Sequence, residues 1–154
     1  MASGVALSPS QVLARVPQQD PFRFIDEITE LDDEHIVANY RFREDADFYR
    51  GHFPGNPITP GVILVETMAQ AGVVALGLYL CALERSVEEL EKLVTVFTDA
   101  NVEFSGAVRP GDRVTTIGRK IFFRRLKLKS EVEMRLADGT VVCSGALSGI
   151  GVPR

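Results

Sequence analysis

The sequence predicts an α+β domain in which a curled antiparallel sheet wraps a single long helix. Three observations predict it: one long, largely apolar run from Val62 to Leu83, alternating strand patterns on both sides of that run, and an Asp138-Gly139 hairpin turn among the later strands. At 154 residues, 45% hydrophobic and 25% charged, the chain suits one globular domain over 1-154, with residues 1–8 as a tail.

Ser8-Pro9-Ser10-Gln11 spells a helix start, with Ser8 as cap, Pro9 in the first turn and Gln11 closing a capping box. The helix should run to about Arg15, with Val12, Leu13 and Val16 inward. Phe22 to Leu31 mixes aromatic and β-branched residues as a strand does. Asp32-Asp33-Glu34 is a turn, and Ile36, Ala38, Tyr40 and Phe42 alternate as a half-buried strand. Residues 50–61 combine Gly51, Gly55 and Gly61 with Pro54, Pro57 and Pro60, which makes a stiff, specifically shaped loop. Pro60-Gly61 opens the apolar helix, and Ser86 to Glu89 is a second capping box. Strands follow over Val94–Phe104, Val114–Phe123, Leu126–Leu136 and Val141–Ile150, with Pro110-Gly111-Asp112 as a turn. The inward parity changes between Ile121/Phe123 and Leu126/Leu128, so a bulge or turn is expected near Arg124-Arg125.

A net charge of −4 argues against nucleic-acid binding, which needs a basic footprint. Cys81 and Cys143 lack any metal-ligand or C-x-x-C spacing and are expected as reduced apolar residues. Met1 to Leu7 has no basic segment followed by a long apolar stretch, so a cytoplasmic protein is expected. The run from Val62 to Leu83 is long enough to cross a bilayer. Glu66 within it would cost about 2.5–3.5 kcal/mol there, and the flanks carry no strong basic anchor. A helix buried in protein, with no membrane insertion, is therefore expected.

The chemistry concentrates between residues 52 and 70. His52, one of 2 histidines, sits in the stiff loop; His35, in a plain strand, is expected to be structural. Glu66 is the only charge in the apolar helix, and Gln70 lies one turn further on the same face. A carboxyl in an apolar wall is driven towards its protonated form, as an acid requires. Histidine is the side-chain type suited to act as base near neutral pH. N–H groups at the helix start after Pro60-Gly61 are placed to polarise a carbonyl oxygen. That set suits proton removal beside a carbonyl followed by loss of a β-hydroxyl, with no metal and no cofactor implied.

The run from His52-Phe53-Pro54-Gly55-Asn56-Pro57-Ile58-Thr59-Pro60-Gly61 to Glu66-Thr67-Met68-Ala69-Gln70-Ala71-Gly72 resembles the active-site segment of the β-hydroxyacyl-acyl-carrier-protein dehydratases of type II fatty acid synthesis. Asp20 to Asp26, Asn101 to Asp112 and Asp138 to Cys143 resemble further segments of that family, so the likeness covers residues 15 to 150. It implies the hotdog fold and conversion of a β-hydroxyacyl thioester on acyl carrier protein to the trans-2-enoyl thioester. It also implies His52 as general base, Glu66 as general acid, Gly61 as oxyanion donor through its N–H, and Ile58 as carbonyl partner of the histidine. Gln70, Phe53 and Thr59 are expected to bind or orient the substrate. Glutamate at position 66 resembles the general branch, since the dehydratase-isomerases use aspartate there. Thr59 and Thr67 depart from the family's usual methionine and alanine. The resemblance further implies a homodimer, or a trimer of dimers, with each site shared between chains. The basic run Arg119, Lys120, Arg124, Arg125, Lys127 and Lys129 is a candidate face for the acidic acyl carrier protein, or else an ordinary solvated strand face. The alternatives to a dehydratase are a hotdog thioesterase and a non-catalytic acyl-binding module.

Overall fold

In the computed structural model, which describes residues 4–154, six strands form one sheet in the order β1-β2-β4-β5-β6-β3. They are β1 (Glu27–Leu31), β2 (His35–Arg41), β3 (Leu93–Phe104), β4 (Arg113–Arg124), β5 (Lys127–Leu136) and β6 (Val141–Pro153), and every pairing is antiparallel. The N-terminal helix runs Pro9–Arg15, and its capping box at Ser8 and Gln11 is formed on both sides. Val12 and Val16 are fully buried. Ahead of this helix, Val5 donates its N–H to the Ala82 carbonyl at 2.7 Å and Leu7 is buried.

The central helix spans Gly61–Ala82. It is α-helical to Ala69, has a π-helical turn over Gln70–Ala75, and is α-helical again over Leu76–Ala82. It is long and apolar enough to cross a membrane, yet most of it is covered by the sheet. Helix and sheet meet backbone to backbone where two glycines face each other: a Cβ on Gly118 of β4 would lie 2.9 Å from Gly72 Cα. The π turn displaces the helical hydrogen bonding, and the buried hydroxyl of Ser130 on β5 donates to the Gly72 carbonyl at 2.7 Å. Two apolar clusters flank this contact. One gathers Leu76, Leu80, Ile28, Ile36 and Leu128 with the N-terminal helix; the other gathers Leu64, Met68, Phe42, Met134 and Leu147.

The strands depart from sequence expectation in two places. The first strand begins at Glu27, not Phe22, because the polar backbone of Phe22 and Phe24 is bonded to the Gln70 side chain and not to a neighbouring strand. The expected break near Arg124-Arg125 is both a turn and a bulge. Arg125 and Leu126 take positive φ as the two-residue turn between β4 and β5, and the register shifts between Lys120 and Phe122. Asp138-Gly139 forms its hairpin, with Gly139 at φ +91. Ser86 to Glu89 caps the short helix Val87–Leu90.

Candidate active site

His52 is held by its own loop. Its N–H donates to Phe48 at 3.1 Å, and its carbonyl accepts from Ile58 N–H at 3.0 Å. Nδ1 of the ring lies 2.8 Å from the Ile58 carbonyl oxygen. A carbonyl only accepts, so Nδ1 carries the proton and Nε2 is left with a lone pair. The ring stacks on Phe53 at a centroid separation of 4.0 Å, and Phe53 is itself half exposed. Thr59 is buried, its N–H donates to Val108 at 2.8 Å, and its hydroxyl shares a 2.6 Å hydrogen bond with Tyr49. Its hydroxyl therefore ties the loop to the core. Nothing in the sequence pattern marked Tyr49 as the partner.

The loop feeds directly into the central helix, capped by Pro60, where the first N–H groups have no partner within the helix. At Gly61 a Cβ would meet the Phe104 ring at 3.2 Å, so only glycine sits there without displacing that ring. Glu66 projects from the second turn. Burial pushes its carboxyl above the usual range, and a hydrogen bond from Gln70 opposes part of that rise. Gln70 is fully buried. Its oxygen accepts from Phe24 N–H at 2.7 Å, while its nitrogen donates to the Phe22 carbonyl at 2.8 Å and to Glu66 Oε1 at 3.0 Å. The backbone of residues 22–24 thereby dictates which way the amide points. Oε1 of Glu66 is thereby engaged as an acceptor.

Glu66 borders a cavity of about 40 Å³ formed with Gln18, Ala69, Val73, Thr95 and Phe97 among its walls. A second, apolar cavity of about 30 Å³ shares Val73, Val74, Thr95 and Gly149 with the first and continues along the helix past Gly77 to Cys81 and Leu126. Burial pushes the Cys81 thiol up to about 11 and that of Cys143 up to about 12, so both remain unreactive thiols at neutral pH. Neither cavity is lined by His52, and among the described residues no hydrogen bond joins His52 to Glu66 within the chain. A more open depression of about 620 Å³ lies over the sheet around Arg119, Glu131 and Arg135 and is lined by none of His52, Ile58, Gly61, Glu66 or Gln70. Of the basic run, Lys120 pairs with Glu34 at 3.3 Å and Arg119 stands opposite Glu131. Arg124 and Arg125 project at the exposed end of the β4–β5 hairpin.

A long helix wrapped by a curled antiparallel sheet is the hotdog architecture. Solved structures of the same fold include the dehydratase heterocomplex ApeI:P from Xenorhabdus doucetiae, at a TM-score of 0.72 with 16% identity, covering 96% of this chain and 93% of that one. Another is the thioesterase HI1161 from Haemophilus influenzae, at a TM-score of 0.68 with 19% identity and 99% and 96% coverage. The FabA-like domain family model matches residues 16–147. The 3-hydroxyacyl-[acyl-carrier-protein] dehydratase FabZ of Caldicellulosiruptor bescii is 33% identical over 141 residues, 89% of this chain and 93% of that protein. The enzyme of the same name from Campylobacter curvus is 36% identical over 133 residues, 86% of this chain and 84% of that protein. The chain belongs to the FabA-like family.

Proposed function

We propose that the protein dehydrates a 3-hydroxyacyl thioester carried on acyl carrier protein, giving the trans-2-enoyl thioester and water. The observation that carries this reading is the Glu66 carboxyl, raised by burial and bonded by Gln70, beside a small cavity that shares walls with a second, apolar cavity along the helix. His52 Nε2 removes the α-proton, with the Ile58 carbonyl holding the ring in the required tautomer. The N–H of Gly61 receives the developing enolate oxygen, where loss of such a donor typically costs about 2.7–4 kcal/mol. Glu66 Oε2 then donates its proton to the departing β-hydroxyl while the C–O bond breaks. The acyl tail lies between Val73 and Leu126.

Within one chain no hydrogen bond joins His52 to Glu66 among the described residues, and His52 does not line the Glu66 cavity; in this reading the working site takes His52 from one subunit and Glu66 from its neighbour. A second copy pairs along β3. This strand is at the edge of the sheet, with Val96, Phe97 and Phe104 half exposed, and an unpaired apolar edge invites strand pairing. The proposed setting is the cytoplasm.

The test is product analysis with 3-hydroxyacyl carrier protein across a ladder of chain lengths. A trans-2-enoyl product is expected, and release of free thiol in its place would favour a thioesterase. His52→Ala and Glu66→Gln should each abolish turnover, and mixing the two after subunit exchange should restore part of it. No enoyl product at any length would overturn the reading.

A further inference from the structure

Gln18 borders the Glu66 cavity, and its side-chain oxygen is buried with no hydrogen-bond partner among the described residues. The backbone that presents it is firmly held: Arg23 Nε donates to the Gln18 carbonyl at 2.8 Å, and its Nη2 donates to the Val16 carbonyl at 2.7 Å. An acceptor desolvated without a partner is unfavourable, and a folded protein rarely retains one unless something fills it. The neighbouring Pro17 lines the apolar continuation of the channel. The segment is thus apolar where the acyl tail runs and polar beside the carboxyl.

Resting on the dehydratase reading, we propose that Gln18 binds the β-hydroxyl of the substrate and makes the site selective for hydroxylated over saturated acyl chains. A hydroxyl carries one donor and two acceptor lone pairs. Glu66 Oε2 donates to the hydroxyl oxygen, and the hydroxyl hydrogen is donated to Gln18 Oε1. When the C–O bond breaks, the Glu66 proton joins that oxygen. The water formed keeps its original hydrogen on Gln18, while His52 holds the α-proton. The bond to Gln18 fixes the hydroxyl so that a lone pair faces the acid. A saturated chain leaves the glutamine unpaired, which is the situation in which polar sites discriminate strongly.

The test compares two ligands in the non-turning-over His52→Ala protein: a 3-hydroxyacyl-pantetheine and the acyl-pantetheine of equal length without the hydroxyl, with Kd measured by calorimetry. The hydroxylated ligand should bind at least about tenfold more tightly. Adding Gln18→Met, which keeps length and removes the acceptor, should bring the ratio close to unity and leave the affinity for the saturated ligand unchanged. Gln18→Leu repeats the comparison if the first variant folds poorly. An unchanged ratio, or equal weakening of both ligands, would overturn the assignment. Failure of the dehydratase reading is separately visible, as an absence of enoyl product from the wild-type protein.

Discussion

Two titratable residues make stability fall as pH rises, in different windows and for different reasons. Burial raises the folded-state pKa of Glu66 above its ordinary 4.5, against the Gln70 hydrogen bond. Below 4.5 both folded and unfolded chains hold the proton; above it the unfolded chain ionises first, so the folded state loses ground until its own pKa is passed. Glu66→Gln keeps an acceptor for Gln70 and removes the charge. This variant should match the wild type in acid and melt higher at neutral pH, as thermal unfolding against pH will show. A wild type that gains stability relative to the variant on going from pH 4 to pH 7 would contradict this. His35 is raised above 6.5 chiefly by its hydrogen bond to Glu30 and then by Asp32. Its contribution is complete below 6.5 and disappears as pH passes the raised value. With exposed partners it amounts to no more than about 1 kcal/mol, and His35→Gln should flatten the stability profile in that upper window only. The isolation of Glu66 in an apolar run was legible from spacing alone. The bonds that orient Gln70 were not, since Phe22 and Phe24 lie 48 and 46 residues away in sequence and no local pattern encodes such a contact.

The central helix carries two tests of how its geometry serves the fold and the cavity beside it. Ser130 donates to the Gly72 carbonyl at the π turn, and Ser130→Ala removes that buried bond, at a cost of about 0.5–1.5 kcal/mol in denaturant unfolding. Gly77 borders the apolar cavity, and a Cβ there would have Leu128 at 3.8 Å as its nearest neighbour, an ordinary contact. Gly77→Ala should therefore gain about 0.5–1 kcal/mol from helix propensity. If the acyl tail runs along that cavity, the added methyl should lower kcat/KM for long acyl chains and leave short ones unaffected; an unchanged chain-length profile would place the tail elsewhere. Apolar length, proline placement and capping boxes made the helices readable. The π turn had no such mark. The β4–β5 turn was legible in place but not from its residue types, because Arg125 and Leu126 do not favour positive φ. Only the change of parity across them betrayed it.

At the scale of the whole molecule, the sheet has two unlike edges. β1 is short, whereas β3 runs from Leu93 to Phe104 with every residue at least partly exposed in the single chain. Phe97, one of its exposed aromatic residues, also borders the Glu66 cavity, so whatever covers β3 also closes the site. Pattern analysis found β3 as a strand but not as an edge, because edge position depends on the order in which distant strands pair. If a second copy covers β3, a charge placed on it should break assembly and activity together. Val96 is half exposed and lines neither cavity, so Val96→Lys leaves the Glu66–Gln70 geometry intact while placing a charge on the exposed edge strand. Sedimentation should show the variant shifting from dimer to monomer as it is diluted. Its specific activity should fall along the same dilution curve, because each monomer retains a carboxylate without the histidine that serves it. A monomeric Val96→Lys protein with undiminished turnover would mean that one chain brings His52 and Glu66 together by itself, and the shared-site arrangement would have to be abandoned.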